Sequence, residues 1–153
     1  MPGPYLNVGP FRSRVTDTHA IGPQEELGVW RFEAGKIYRY VKFGALIPAF
    51  EACRLDSTVT TAALFGNQVL QTSAATDMFM GIAEVTGPNL AFGWITAYGN
   101  ATGRVAGEAA GSALGPSANT GVLSIRNTSH FNTSAIAAAA GLSMGSAVFI
   151  HVL

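Results

Sequence analysis

The chain has 153 residues with nine basic and nine acidic side chains, so its formal net charge at neutral pH is zero. Charged residues make up 12% of it, against about 25% in ordinary soluble domains, leaving no field to steer phosphate and no basic cluster to hold a nucleic acid. The single cysteine, Cys53, excludes an internal disulfide and a cysteine-rich metal site, and fits synthesis in a reducing compartment.

That length suits one domain with a real core. Its surface must be built largely from Ala, Ser, Thr, Asn and Gly, which protects poorly against association, so much of the exterior is expected to be covered by partners. Residues 1–26 hold four of the seven prolines, which deny the segment both helix and central strand. Tyr5, Leu6, Val8, Phe11 and Val15 are scattered through it without a period. The expectation is an extended N-terminal arm lying on its own domain or on another subunit. The first residues, MPGPYLNVGPFRSR, lack the apolar run of a secretory signal.

Leu27 to Gly44, LGVWRFEAGKIYRYVKFG, reads as a hairpin turning at Ala34-Gly35. That turn sets Glu33 opposite Lys36, Phe32 opposite Ile37, Arg31 opposite Tyr38 and Trp30 opposite Arg39, and it brings the Arg39 guanidinium over the Trp30 ring. Short apolar pieces follow around Pro48. Strand-like runs then recur near 58–64, 68–72, 79–85, 91–98, 103–106, 121–126 and 146–153, at the spacing of an all-β barrel or sandwich. In the run at 91–98, Phe92, Trp94, Thr96 and Tyr98 alternate with Ala91, Gly93, Ile95 and Ala97. The pattern describes a ribbon packed on both faces, with Gly93 leaving room for a neighbouring backbone or ring. GEAAGSALGPSANTG, broken repeatedly by Gly and Pro, reads as a surface loop. The ending AIAAAAGLSMGSAVFIHVL is apolar enough for a membrane helix to be a formal alternative. It lacks flanking anchors and finishes on β-branched residues, so a short Ala-rich turn or helix and a closing strand over 147–153 are expected.

No chemistry stands out. His19, His130 and His151 are isolated in sequence, Cys53 has no neighbouring base, and there is no Gly-x-Ser-x-Gly elbow or paired metal-ligand spacing. Glu25 and Glu26 are adjacent and read as solvated. These features point away from an enzyme, with no catalytic residues, metal, cofactor or small-molecule substrate indicated.

Leu27-Gly28, then Gly35-Lys36-Ile37-Tyr38-Arg39-Tyr40-Val41, Gly81-Ile82-Ala83 and Phe92-Gly93-Trp94-Ile95-Thr96-Ala97-Tyr98-Gly99 resemble the segments of small capsid decoration, or cement, proteins of tailed bacteriophages. Phe92 stands where that family usually has Tyr, and the arm has no counterpart in it. The resemblance covers 27–153 and implies a single β-barrel or β-tulip-like domain after an arm over 1–26. It also implies a homotrimer made in the host cytoplasm and seated on the capsid exterior of a virion, with major capsid protein as partner and neither nucleic acid nor membrane. On that reading Tyr5, Leu6, Phe11, Arg12 and Arg14 reach a neighbouring subunit or the shell. Trp30, Phe32, Tyr38, Tyr40, Phe92 and Trp94 then supply core or trimer contacts. The alternative is a carbohydrate- or receptor-binding module of a phage fibre or spike, which requires exposed aromatics beside Asp, Asn or Gln.

Overall fold

The structure, a computed structural model, describes residues 11–107, 109–125, 135–137 and 143–151. Ala34 and Gly35 both take positive φ, 51° and 76°, the combination that matches a tight turn to the right-handed twist of its strands. Strands β2 (Trp30–Glu33) and β3 (Lys36–Phe43) pair across it in the expected register, from Glu33 with Lys36 to Trp30 with Arg39. The Arg39 guanidinium carbon stands 5.3 Å from the Trp30 ring centre.

Around this hairpin the described chain is all β, with no helix. The other strands are β1 (Thr18–His19), β4 (Glu51–Leu55), β5 (Gln68–Gln71), β6 (Phe79–Ala83), β7 (Phe92–Val105), β8 (Ala113–Pro116), β9 (Leu123–Ile125), β10 (Ala135–Ala137) and β11 (Ser143–His151). Ten strands follow one hydrogen-bonded path, β11-β10-β8-β9-β7-β6-β4-β5-β3-β2, and β1 adds to β7. Two further pairings, β3 with β7 and β11 with β7, bring that path back to β7 from either side.

The expected runs at 91–98 and 103–106 are halves of one 14-residue strand, β7. Its first half lies against β3 and its second against β11. Both faces of the first half are covered, as the alternation requires: Trp94 and Thr96 are buried on one side, Ile95 and Ala97 on the other. A Cβ on Gly93 meets the Phe43 ring at 3.0 Å and the Asp17 carbonyl at 3.3 Å, so the glycine admits both a ring and a backbone.

Strand β6 is buried at every position. Gly81, at φ 144°, interrupts its alternation where the register with β4 shifts. Phe79 and Ile82 therefore share one core with Val105, Leu114, Leu123 and Val148. Met80 and Ala83 face the other, with Val41, Phe43, Cys53, Val69 and Ile95.

Three expectations fail for identifiable reasons. Residues 58–64 form turns rather than strand: the Asp56 carboxylate accepts from the Thr58 amide (3.0 Å) and hydroxyl (2.6 Å), and the Leu64 and Phe65 amides both donate to the Thr61 carbonyl. Local bonds of that kind compete with a ladder. The surface loop expected around 107–121 contains β8, which is held between β9 and β10 despite its Gly and Pro. The Ala-rich segment begins as β10, and the closing strand starts earlier than expected, at Ser143. No helix among the described residues is long and apolar enough to cross a membrane.

Two predictions follow from backbone geometry. Gly81→Ala puts a Cβ against the Thr96 carbonyl at a positive φ, and is expected to cost about 2–5 kcal/mol, read as a thermal midpoint lowered by roughly 5–15 °C. Ala34→Asn relieves the left-handed strain at the turn and is expected to raise stability by about 0.5–1 kcal/mol in denaturant titration; a lower midpoint contradicts the turn assignment.

Candidate functional site

The described part of the arm lies on its own domain. Phe11 meets Trp94 edge-on, with centroids 5.5 Å apart and rings at 80°, and the Arg31 guanidinium covers Phe11 at 4.9 Å. Beside them the Trp94 indole N–H donates to Ser13 Oγ at 3.0 Å, and Arg31 donates to the Ser13 carbonyl at 2.6 Å. Glu25 Oε1 gathers the Arg12 amide (2.6 Å), the Ser13 amide (2.7 Å) and the Ser13 hydroxyl (3.0 Å). The carboxylate expected to be solvated is therefore half-buried and clamps the arm, because three donors compensate its loss of water. Tyr40 completes the dock, packing on Trp94 at 5.0 Å and accepting the Gln24 amide.

These contacts sort the candidate residues. Tyr5 and Leu6 lie outside the described residues. Phe11 packs within its own chain, while Arg12 and Arg14 are exposed along the arm. Tyr38, Tyr40 and Trp94 are core, and Phe92 is half-buried beside them with Lys42 5.9 Å from its ring. Trp30 and Phe32 stand outside, with Phe32 66% exposed. No sequence spacing marks Ser13 or Glu25, since their bond joins residues that only the folded arm brings together.

Two carboxylates sit where strands converge. Glu84 takes the Lys36 ammonium on both oxygens at 2.9 Å, the Thr96 hydroxyl at 2.8 Å and the Thr102 amide at 3.3 Å. It therefore ties the hairpin tip to the middle of β7. Glu51 is buried between Arg104, at 2.9 Å, and the Gln71 amide, and a Cβ on Gly121 has no room beside its carboxylate. Both acids have their lone pairs engaged, as structural carboxylates do.

Elsewhere the titratable groups stay apart. The Cys53 thiol is buried and its pKa is pushed up to about 12, chiefly by loss of water, so it stays protonated at neutral pH. His19 is in the β1 ladder, His151 lies 5.8 Å from the Tyr98 ring, and His130 is outside the described residues. No group of three or more His, Cys, Asp or Glu among the described residues could hold a metal ion.

What remains is a surface. Among the described residues strand β2 has a ladder partner on one side only, β3. Beside it a shallow groove of about 410 Å³ is walled by Phe32, Ile37 and Tyr98 and floored by the turn residues Glu33 to Lys36. Arg39, held by the Gly66 carbonyl (2.9 Å) and Asn67 Oδ1 (3.0 Å), braces Trp30 at its margin. Neither a family model nor a curated protein nor a solved structure matches the chain.

The Lys36–Glu84 tie gives a pH prediction. Burial works against the Lys36 ammonium, but its hydrogen bond and charge attraction to Glu84 outweigh that and hold its pKa above 10.5. Burial raises Tyr38 above 10.0, against the pull of Lys36. The folded chain thus binds both protons more tightly than the unfolded one, so this stability is present in full below about pH 10 and is lost as pH rises through the folded values. Lys36→Met is expected to cost about 1–3 kcal/mol at pH 7 by stripping Glu84 of its cation. Thermal melts across pH 8–11.5 should show a shallower alkaline decline in the variant than in wild type, and equal slopes contradict the assignment.

Proposed function

We propose that the protein is a structural component of a phage virion, seated as a trimer on the outside of an icosahedral capsid, where it braces contacts between major capsid proteins. The observation that carries this reading is the exterior. Large apolar side chains, among them Ile21, Phe32, Phe65, Met78 and Leu90, stand more than half exposed on a chain that is only 12% charged. Such a surface favours protein contact over free existence. The likeness of 27–153 to capsid decoration proteins supplies the setting. The two returns of the pairing path to β7 support a barrel-like domain, in which ring closure leaves few open edges.

Binding only to the assembled shell stabilises that shell by mass action, multiplied over many copies. Three footprints on one trimer act together, so each can be weak. Among the described arm residues, Arg12 and Arg14 stand exposed and available for the shell.

A second reading has one observation in its favour: Trp30 is exposed, with the polar Asn67 reached through Arg39, as a sugar-stacking site requires. A glycan array separates the two readings, since saturable binding abolished by Trp30→Ala favours the module.

The decisive experiment is sedimentation with and without empty capsids. The expected result is a particle of about three 15.9 kDa chains that pellets with shells and raises their melting temperature. A lone chain that stays in the supernatant and leaves the shells unchanged overturns the proposal.

A further inference from the structure

The free edge of β2 has a sequence that complements itself. Among the described residues β2 is hydrogen-bonded on one side only. In a two-residue hairpin the flanking pair Glu33–Lys36 is hydrogen-bonded and pairs alternate from there, so Arg31 and Glu33 direct their backbone groups toward β3. Trp30 and Phe32 direct theirs outward. A strand of another chain can therefore add along this edge, with the Phe32 N–H and C=O as its central anchors.

We infer that the β2 edge is a two-fold contact between two copies of this chain, paired antiparallel with Phe32 facing Phe32 on the axis. Charge selects that register. Shifting the centre to Arg31 sets guanidinium against guanidinium, which destabilises directly opposed positions. Centring on Phe32 sets Arg31 opposite Glu33 of the second copy, and Glu33 opposite its Arg31. The Arg31–Glu33 ion pair within each strand, 2.7 Å long with Glu33 44% exposed, then becomes part of an alternating ring of four charges.

The same register answers the exposed aromatics. Trp30 comes opposite Ala34 of the second copy, on the face that carries Phe32 and Ile37, so its indole lies over the groove walled by Phe32, Ile37 and Tyr98. The two Phe32 rings, 66% exposed in the single chain, meet at the centre. An aromatic anchor in an apolar groove ringed by paired charges is the usual anatomy of a stable contact. This contact goes beyond the trimer proposed above and does not depend on capsid binding.

Because position 32 faces itself, the test is specific. Phe32→Lys and Phe32→Glu each place like charges on the axis, and each is expected to weaken self-association by roughly tenfold or more in sedimentation equilibrium. An equimolar mixture of the two is expected to associate again. Phe32→Cys puts a thiol on the axis in a chain whose other cysteine is buried, so mild oxidation should give a covalent dimer on a non-reducing gel where wild type gives none. Unchanged melting temperatures show that the hairpin is intact. A wild-type mass that Phe32→Lys does not lower, or a mixture that associates no better than its components, overturns the contact even if the protein binds capsids.

Discussion

The structure depends on burying both faces of the first half of β7. A strand of this length with one wet face needs one core; with two covered faces it needs neighbours on every side and small residues where they crowd. Gly93 admits Phe43, Gly99 at φ 100° admits the Gly35 carbonyl, which a Cβ there would meet at 2.8 Å, and Gly103 admits Ile82 and Val148. Side chains at these positions would separate β7 from the hairpin at one end and from β11 at the other. The high glycine content is in this sense a packing requirement of one strand.

Burial on both faces also explains the arm. Trp94 projects from the face of β7 that is not closed by other strands, and burying its ring leaves an indole N–H that requires an acceptor. Ser13 supplies it, Phe11 covers the ring edge, and Glu25 fixes the Ser13 backbone from the far end of the arm. The third apolar cluster, built on Tyr38, Tyr40 and Trp94, is closed by arm side chains. Residues 11–26 are thus a layer of the domain, extended over it and joined to β7 only through the two-residue strand β1.

How much of this was legible depended on whether the information was local. The hairpin was readable to the residue, because a two-residue turn fixes register and the rungs on either side agree in charge and shape. The double burial of β7 was readable because period two exposes both faces to inspection. Strand β8 was not, since its Ala, Leu, Gly and Pro carry no strand preference, and the short Ser/Asn/Gly connection to its partner β9 reads as loop together with it. At 58–64 the Thr and Val point to a strand, while Asp56, whose carboxylate holds the turn, lies just outside the run. The loop Ile47-Pro48-Ala49-Phe50 reads in sequence only as a short apolar piece, and Gly87-Pro88-Asn89-Leu90 only as a Gly/Pro break between strand runs. They are matched halves of one bridge, joined at Ile47 and Gly87, each ending on a non-glycine residue at positive φ. Of the candidate site, the aromatics were all visible, but their division into core and surface follows from which face β7 and the arm cover.

The charges show why the exterior is as apolar as it is. Few are present, and many of these are directed inward: Glu51 to Arg104, Glu84 to Lys36, Arg54 to Asp77 and Arg39 to the 66–67 turn. Asp56 is buried too; loss of water acts to raise its pKa, but hydrogen bonds from Thr58 and Gln68 prevail and keep it below 3.8. Each of these groups fastens one strand or turn to another, a task that falls to side chains where, among the described residues, no helix braces the strands. The consequence is a surface with even less charge than the composition indicates. Exposed groups such as Phe32, Phe65 and Met78 stand in that sparsely charged exterior, where each keeps apolar surface in water at a cost.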